Sequence, residues 1–189
     1  MPDRSAITLV LGGARSGKST FAQRLATGTG KPVLFVATGV ATDAEMEARI
    51  AAHRAARPAD WRCTETPTHV GEAIGNEGAD IGVVLLDCLS FLVSNLLVGC
   101  GESADADETP IWALVEQEID GLLSAVVKRR ADLVVVSNEV GLSLVPDNRL
   151  GRLYRDLLGR GNQKVAAEAD TVYLMVAGLP LMVKQPDAP

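Results

Sequence analysis

The chain predicts an α/β fold in three layers, with a mainly parallel sheet, helices on both faces and an antiparallel strand near the C-terminus. Three observations predict it. Short β-branched runs alternate with helix-patterned stretches, the order that right-handed crossovers wind into a parallel sheet. The run VVLLD (83–87) is apolar at successive positions, as suits a strand covered on both faces. The run ITLVL (7–11) leads straight into a glycine-rich loop and then a helix pattern.

Each element has its own justification. ITLVL is the first strand, and the helix over 18–27 stops at the turn TGTGKP. VLFVA (33–37) is the second strand. Residues 43–57 are helical, with Met46, Ile50 and His53 at i, i+4 and i+7. That helix ends at Arg57–Pro58, because a residue before proline is pushed out of the α region. VVLLD is the third strand and helical LSFLVSNLL follows it. GCGESADADETP (99–110) reads as an acidic loop. Thr109 caps the next helix with Pro110 at its first position, and Lys128, Arg129 and Arg130 complement the dipole at its end. LVVVS (133–137) is the fourth strand, and NEVGLSLVPDN a loop. A helix spans 148–168. TVYLMV (171–176) and LMVK (181–184), joined by AGLP, are a last strand and its antiparallel return. Residues 1–185 are expected to form one domain, with a short disordered tail from 186 to 189.

Composition narrows the function. Apolar residues make up 47% of the 189, enough for a full core, and the formal net charge is -6. No basic stripe is present, which argues against nucleic-acid backbone binding, whereas a small anionic ligand needs only local positive groups. The apolar runs are interrupted and too short to span a bilayer, and MPDRSAITLV lacks a signal-peptide layout, so the protein is expected to be cytoplasmic. Cys63, Cys88 and Cys100 have no metal-ligand spacing, and Cys88, after a buried run, reads as a core residue.

GGARSGKS (12–19) matches GxxxxGK[ST] between a strand and a helix, which makes it a P-loop. Gly12, Gly13 and Gly17 let the backbone of Ala14, Arg15 and Ser16 turn its N–H groups toward phosphate oxygens. The helix N-terminus adds positive potential, Lys18 reaches the β- and γ-phosphates, and Ser19 offers an oxygen to Mg²⁺. In parallel sheets ligands bind at the carboxyl ends of strands, which singles out 12–19, 37–43 and the residues after Leu86 and Ser137. Asp87 is placed there as a second metal-side group, or else as the cap of the helix that follows. Asn138 and Glu139 either orient substrate or nucleotide, or satisfy the loop backbone.

Glu45, Arg49, His53 and Arg57 share one helix face, with Arg54 beside it. Guanidiniums near an imidazole favour its neutral, nucleophilic form and can also hold a polyphosphate. The alternative is a histidine on the Met46–Ile50 apolar face with solvated arginines.

The stretches LVLGGARSGKSTFAQRLA, FVATG, DAEMEARIAAHRAARPADW, LLDCLSFLVSNLL, VSNEVGLSLVPDNRLGRLYRDLLGRGNQ and VAGLPLMVK resemble, in order, the bifunctional adenosylcobinamide kinase / adenosylcobinamide-phosphate guanylyltransferase family of cobalamin biosynthesis. The resemblance implies a P-loop NTPase fold of the RecA-like kind. It implies two reactions: ATP or GTP phosphorylates adenosylcobinamide, and GTP then passes GMP through a covalent histidine adduct to adenosylcobinamide phosphate, giving adenosylcobinamide-GDP. By position His53 is the nucleophile. Ala37, Thr38, Gly39, Arg54, Ala55, Ala56, Arg57, Glu65 and Asp87 join residues 12–19 as nucleotide-binding positions, with Ser19 and Asp87 on Mg²⁺. A homotrimer is also implied. Two positions depart from the family pattern: Ser143 replaces a usual glycine, and Ala52 stands where some relatives carry a second histidine. Rival readings are a small-molecule kinase without guanylyl transfer and a nucleotide-gated regulatory module.

Overall fold

The computed structural model describes residues 5–41, 43–55, 57–101 and 108–185, and of Arg49 the backbone alone. Its elements in chain order are β1 (Ile7–Gly12), α1 (Lys18–Gly28), β2 (Val33–Ala37), α2 (Ala44–Ala55), β3 (Arg62–Glu65), α3 (Val70–Gly75) and β4 (Val83–Asp87). There follow α4 (Leu89–Gly99), α5 (Thr109–Arg129), β5 (Asp132–Val136), α6 (Arg149–Glu168), β6 (Thr171–Val176) and β7 (Leu179–Lys184). The strands form one sheet in the order β3-β2-β4-β5-β1-β6-β7, parallel except for β7, which runs antiparallel to β6.

Because successive side chains on a strand point to opposite faces, the same strands build two cores. Leu9, Leu34, Val36, Val84, Leu86, Leu133 and Val135 enter one core, completed by α3, α4, α5 and α6. Val10, Phe35, Val83, Leu85, Val134 and Val136 enter the other, covered by Phe21, Ala22, Leu25 and Ala26 of α1. The central strands are apolar throughout because both faces are covered, which is the three-layer arrangement the sequence predicts.

Two elements were not expected. β3 lies at the sheet edge, pairs only with β2, and exposes Arg62, Cys63 and Glu65. A strand with one neighbour and an open face needs no apolar alternation, so it leaves no pattern to read. The short α3 exists through α5: the buried Glu118 carboxylate accepts from the backbone N–H groups of His69 (2.6 Å) and Val70 (3.1 Å). It caps from a distance a helix whose own preceding residue offers no cap. At Gly71 a Cβ would lie 2.5 Å from the Gly121 backbone, so α3 and α5 meet main chain to main chain.

Smaller differences have local causes. Glu108, not Thr109, occupies the N-cap of α5, which puts Pro110 at the second helical position rather than the first. β7 begins at Leu179 and takes in Pro180, which an edge strand tolerates because its missing N–H can face outward. α2 ends at Ala55, short of the expected 57. Ser143 needs no glycine: its φ is not positive, and its hydroxyl donates to the Val140 carbonyl at 2.7 Å. His69 is exposed, and Cys88 is buried. Residues 102–107 of the expected acidic loop and the tail from 186 lie outside the described residues.

Candidate active site

The loop from β1 to α1 turns sharply, with Arg15 at φ 55° and Gly17 at φ 90°. Gly12 has φ 153°, and a Cβ there would stand 2.6 Å from Ser16 Oγ and 2.7 Å from the Met175 carbonyl oxygen. The carbonyl belongs to a β-strand and cannot swing aside, so only glycine fits. The β6–β7 turn braces the loop from outside, where Gly178 N–H donates to the Ser16 carbonyl at 3.1 Å. α1 opens without a side-chain cap hydrogen bond or an acidic residue in its first turn. Its leading N–H groups therefore remain for an anion. Lys18 is buried, and its Nζ donates to the Gly13 carbonyl at 2.6 Å. Ser16 Oγ is buried with no hydrogen-bond partner among the described residues.

A cavity of about 210 Å³ opens at the carboxyl ends of the strands. It brings Ala14, Arg15, Lys18 and Ser19 together with Ala37 at the end of β2, Gly39 beyond it, Glu65 of β3 and Asp87 of β4. His53 and Arg57 line the same cavity. Phe35, Met46, Ile50 and Phe91 add an apolar wall. Gly12, Gly13, Ser16 and Gly17 shape the loop rather than line the cavity. Thr38 is fully buried: its hydroxyl donates to the Cys88 carbonyl (2.7 Å) and accepts from Cys88 N–H (2.9 Å), tying the ends of β2 and β4 together. Arg54 and Ala55 are exposed on α2, and Ala56 lies outside the described residues.

Of the arginines expected around His53, Arg54 and Arg57 do not form one cluster, and the Arg49 side chain lies outside the described residues. Arg54 donates through Nε and Nη2 to Glu65 Oε1, at 3.0 and 2.5 Å, and the hydrogen bond followed by the carboxylate's charge raises its pKa. Arg57 instead lies 4.0 Å above the Phe35 ring and donates to Cys63 Sγ at 2.8 Å. The cation–π contact and the bond to Cys63 hold the guanidinium at the cavity wall. This division follows from β3, which brings Cys63 and Glu65 beside α2.

Asp87 ends β4, and the N-cap of α4 is Cys88, which removes the capping alternative for the aspartate. Burial above all, then the Asp87 charge, pushes the Cys88 thiol up to about 11. Burial also raises Cys63, so both thiols stay protonated at neutral pH and supply no thiolate. Sequence reasoning missed Phe91, which sits in an apolar helix run with nothing to mark it. It left Asn138 open, and the cavity includes that residue.

A glycine loop that opens a helix at the carboxyl end of β1, with a carboxylate two strands away across β5, defines a P-loop nucleotide-binding enzyme with a RecA-like sheet. The RadB recombinase structure has this fold, with a TM-score of 0.51 and 15% identity, covering 89% of this chain and 73% of that one. The chain belongs to the CobU family, cobinamide kinase / cobinamide phosphate guanyltransferase, whose family model matches residues 8–183. It is 43% identical over 179 residues to the bifunctional adenosylcobalamin biosynthesis protein CobU of Escherichia coli K12, covering 93% of this chain and 98% of that one. The like-named protein of Salmonella typhimurium LT2 is 42% identical over the same shares. The bifunctional adenosylcobalamin biosynthesis protein CobP of Pseudomonas aeruginosa PAO1 is 40% identical over 176 residues, 93% of this chain and 96% of that one.

Proposed function

We propose that this protein performs two successive transfers in one cavity, phosphorylating adenosylcobinamide and then attaching GMP to the new phosphate. One observation carries the reading. The P-loop residues Lys18 and Ser19, the strand-end Asp87, and the α2 residue His53 with Arg57 all line the same space.

In the first reaction the substrate hydroxyl oxygen attacks the γ-phosphorus of ATP or GTP. The bond to the β–γ bridging oxygen breaks, and its electrons leave with the nucleoside diphosphate. Lys18 and the first N–H groups of α1 offset the charge on the phosphate oxygens. In the second reaction a His53 ring nitrogen attacks the α-phosphorus of GTP and pyrophosphate leaves. A phosphate oxygen of adenosylcobinamide phosphate then attacks the adduct, the N–P bond breaks, and His53 is restored with adenosylcobinamide-GDP as product. Arg57 balances charge on the departing pyrophosphate.

Ser19 and Asp87 offer hydroxyl and carboxylate oxygens to one space, the ligand type Mg²⁺ prefers. Among the described residues no group of three His, Cys, Asp or Glu could hold a metal, so Ser19 and Asp87 would hold Mg²⁺ only together with the phosphate oxygens of the nucleotide. Bound there, Mg²⁺ neutralises phosphate charge. Asp87→Asn keeps the side chain's shape and loses its charge. The expected result is a higher Mg²⁺ requirement, partial recovery of activity in excess Mg²⁺, and an unchanged melting curve. Unfolding without any effect of metal would make Asp87 structural.

Residues 1–185 act as one P-loop unit, cytoplasmic and assembled as a homotrimer. The sheet-edge strand β7, with Leu179, Leu181 and Val183 exposed, supports the assembly. No helix among the described residues is long and apolar enough to cross a membrane. The deciding experiment is mass spectrometry of the protein after GTP and Mg²⁺, then of the products after adenosylcobinamide and a nucleoside triphosphate. A GMP adduct and a phosphorylated, then guanylylated, corrinoid are expected. A kinase without the adduct, or nucleotide hydrolysis with no corrinoid product, would overturn the reading.

A further inference from the structure

β5 lies between β1, which carries the P-loop, and β4, which carries Asp87. Its register places Val136 beside Val10 on one side and beside Asp87 on the other. Adjacent strands lie about 4.8 Å apart, so the residues just past Val136 stand between the lysine loop and the carboxylate. Strand alternation continues past the end of β5. Val134 and Val136 face α1, whereas Leu133 and Val135 face the other core. Ser137 follows the second set, and its hydroxyl donates to Asn162 Oδ1 of α6 at 2.6 Å. Asn138 returns to the α1 side and lines the cavity with Lys18, Ser19 and Asp87.

Two buried side chains hold this residue by its backbone. Ser90 Oγ on α4 accepts from Asn138 N–H at 2.7 Å, and Asn162 Nδ2 on α6 donates to the Asn138 carbonyl at 3.1 Å. Ser90 and Asn162 are among the few buried polar residues of the protein. With its main chain pinned from two helices, Asn138 has a fixed Cα–Cβ direction, on the side of the strand end that lines the cavity. Its amide makes no hydrogen bond with any described residue. The neighbouring Glu139 behaves differently: its carboxylate accepts from Gly141 N–H at 2.6 Å, and it does not line the cavity. Of this adjacent pair, one residue serves the loop and the other faces the site.

We propose that Asn138 holds the acceptor hydroxyl against the γ-phosphoryl group in the kinase reaction, with Ser90 and Asn162 as its positioning residues. This rests on the kinase reading above and extends it. An amide suits the place because it has both a donor and an acceptor. Nδ2 donates to a γ-phosphoryl oxygen and Oδ1 accepts from the hydroxyl of the substrate. As the new O–P bond forms and the β–γ bridge breaks, the hydroxyl proton passes to an oxygen of the transferred phosphoryl group. The amide orients both partners and keeps its own protons. His53 serves another end of the cavity, since α2 follows β2 and β4 separates β2 from β5.

The test compares wild-type protein with Asn138→Ala, Ser90→Ala and Glu139→Ala, using adenosylcobinamide and labelled nucleoside triphosphate. Nucleotide Kd, kinase kcat and the share of label lost to water are measured separately. Asn138→Ala should lower kcat by about 10²-fold, the size expected for one oriented hydrogen-bonding group. Nucleotide Kd should change little, and the share of phosphoryl passed to water should rise. Ser90→Ala should shift that share in the same direction by less, and Glu139→Ala should leave it unchanged. Wild-type kcat in Asn138→Ala would overturn the proposal. So would a loss of kcat matched by an equal loss of nucleotide binding, or an unchanged share to water. Wild-type protein that phosphorylates no corrinoid would refute the functional reading instead, a result distinct from all of these.

Discussion

His53→Ala should carry no GMP after incubation with GTP and Mg²⁺, while still phosphorylating adenosylcobinamide. The adduct requires a lone pair able to displace pyrophosphate from the α-phosphorus, and alanine has none. The thiol and the amine of the cavity do not replace it: Cys88 is held protonated by burial, and Lys18 is a buried ammonium donating to the Gly13 carbonyl. The fold should survive, because His53 is exposed on α2 and its removal opens no cavity in either core. The kinase groups Lys18, Ser19 and Asp87 sit on other elements. Arg57→Ala should differ: the nucleophile remains, but a guanidinium stacked 4.0 Å above Phe35 is lost, so the adduct should form more slowly. Intact-mass measurement over time separates the two variants. An adduct on His53→Ala would remove the histidine from the mechanism. Loss of both activities in a folded protein would mean that the two reactions share this residue.

The legible parts of the molecule are those with a local cause. β1, β2, β4 and β5 could be read because burial on both faces requires apolar residues at successive positions, β6 from its β-branched and apolar run although only Val172 and Met175 are buried, and the P-loop because phosphate binding requires particular residues at fixed spacing. β3 could not, because its environment comes from β2 alone, and α3 could not, because Glu118 caps it from a residue far along the chain. The site divides in the same way. Asp87 was visible as a carboxylate closing a buried strand. Asn138 was visible only as a residue after a strand, since its meaning depends on β5 lying between β1 and β4. His53 stood out through the arginines on its helix, but its helical spacing alone favoured an apolar-face histidine, and the P-loop and the family resemblance carried the nucleophile reading. The arginines around it misled in one respect. Spacing along α2 suggested a shared clamp, whereas Glu65 on the unread β3 takes Arg54 and leaves Arg57 at the cavity.

Lys18→Ala should reduce kinase kcat by about 10²–10³-fold, in the range found when a preorganised donor to developing charge is removed. The ammonium is fixed before nucleotide arrives. Lys18 is 8% exposed, and its Nζ donates to the Gly13 carbonyl at 2.6 Å within the loop that would surround the phosphates. Transfer of the γ-phosphoryl group builds charge on the oxygens this loop encloses, so the loss should fall on kcat as well as on GTP affinity. Lys18→Arg should not restore the rate, because a planar fork cannot replace a compact ammonium at a buried site. The same substitution also tests whether one nucleotide position serves both reactions. Lys18 and His53 line one cavity. GTP bound there for attack at its α-phosphorus has its β- and γ-phosphates toward Lys18, so adduct formation on His53 should also slow, but less than the kinase step, because the reacting phosphorus is farther from the lysine. Single-turnover kinetics of both reactions with the purified variant check this. Undiminished kinase turnover would take the P-loop out of the mechanism. A normal rate of adduct formation beside a lost kinase would place GTP for guanylyl transfer away from Lys18, and the two reactions would then use separate nucleotide positions.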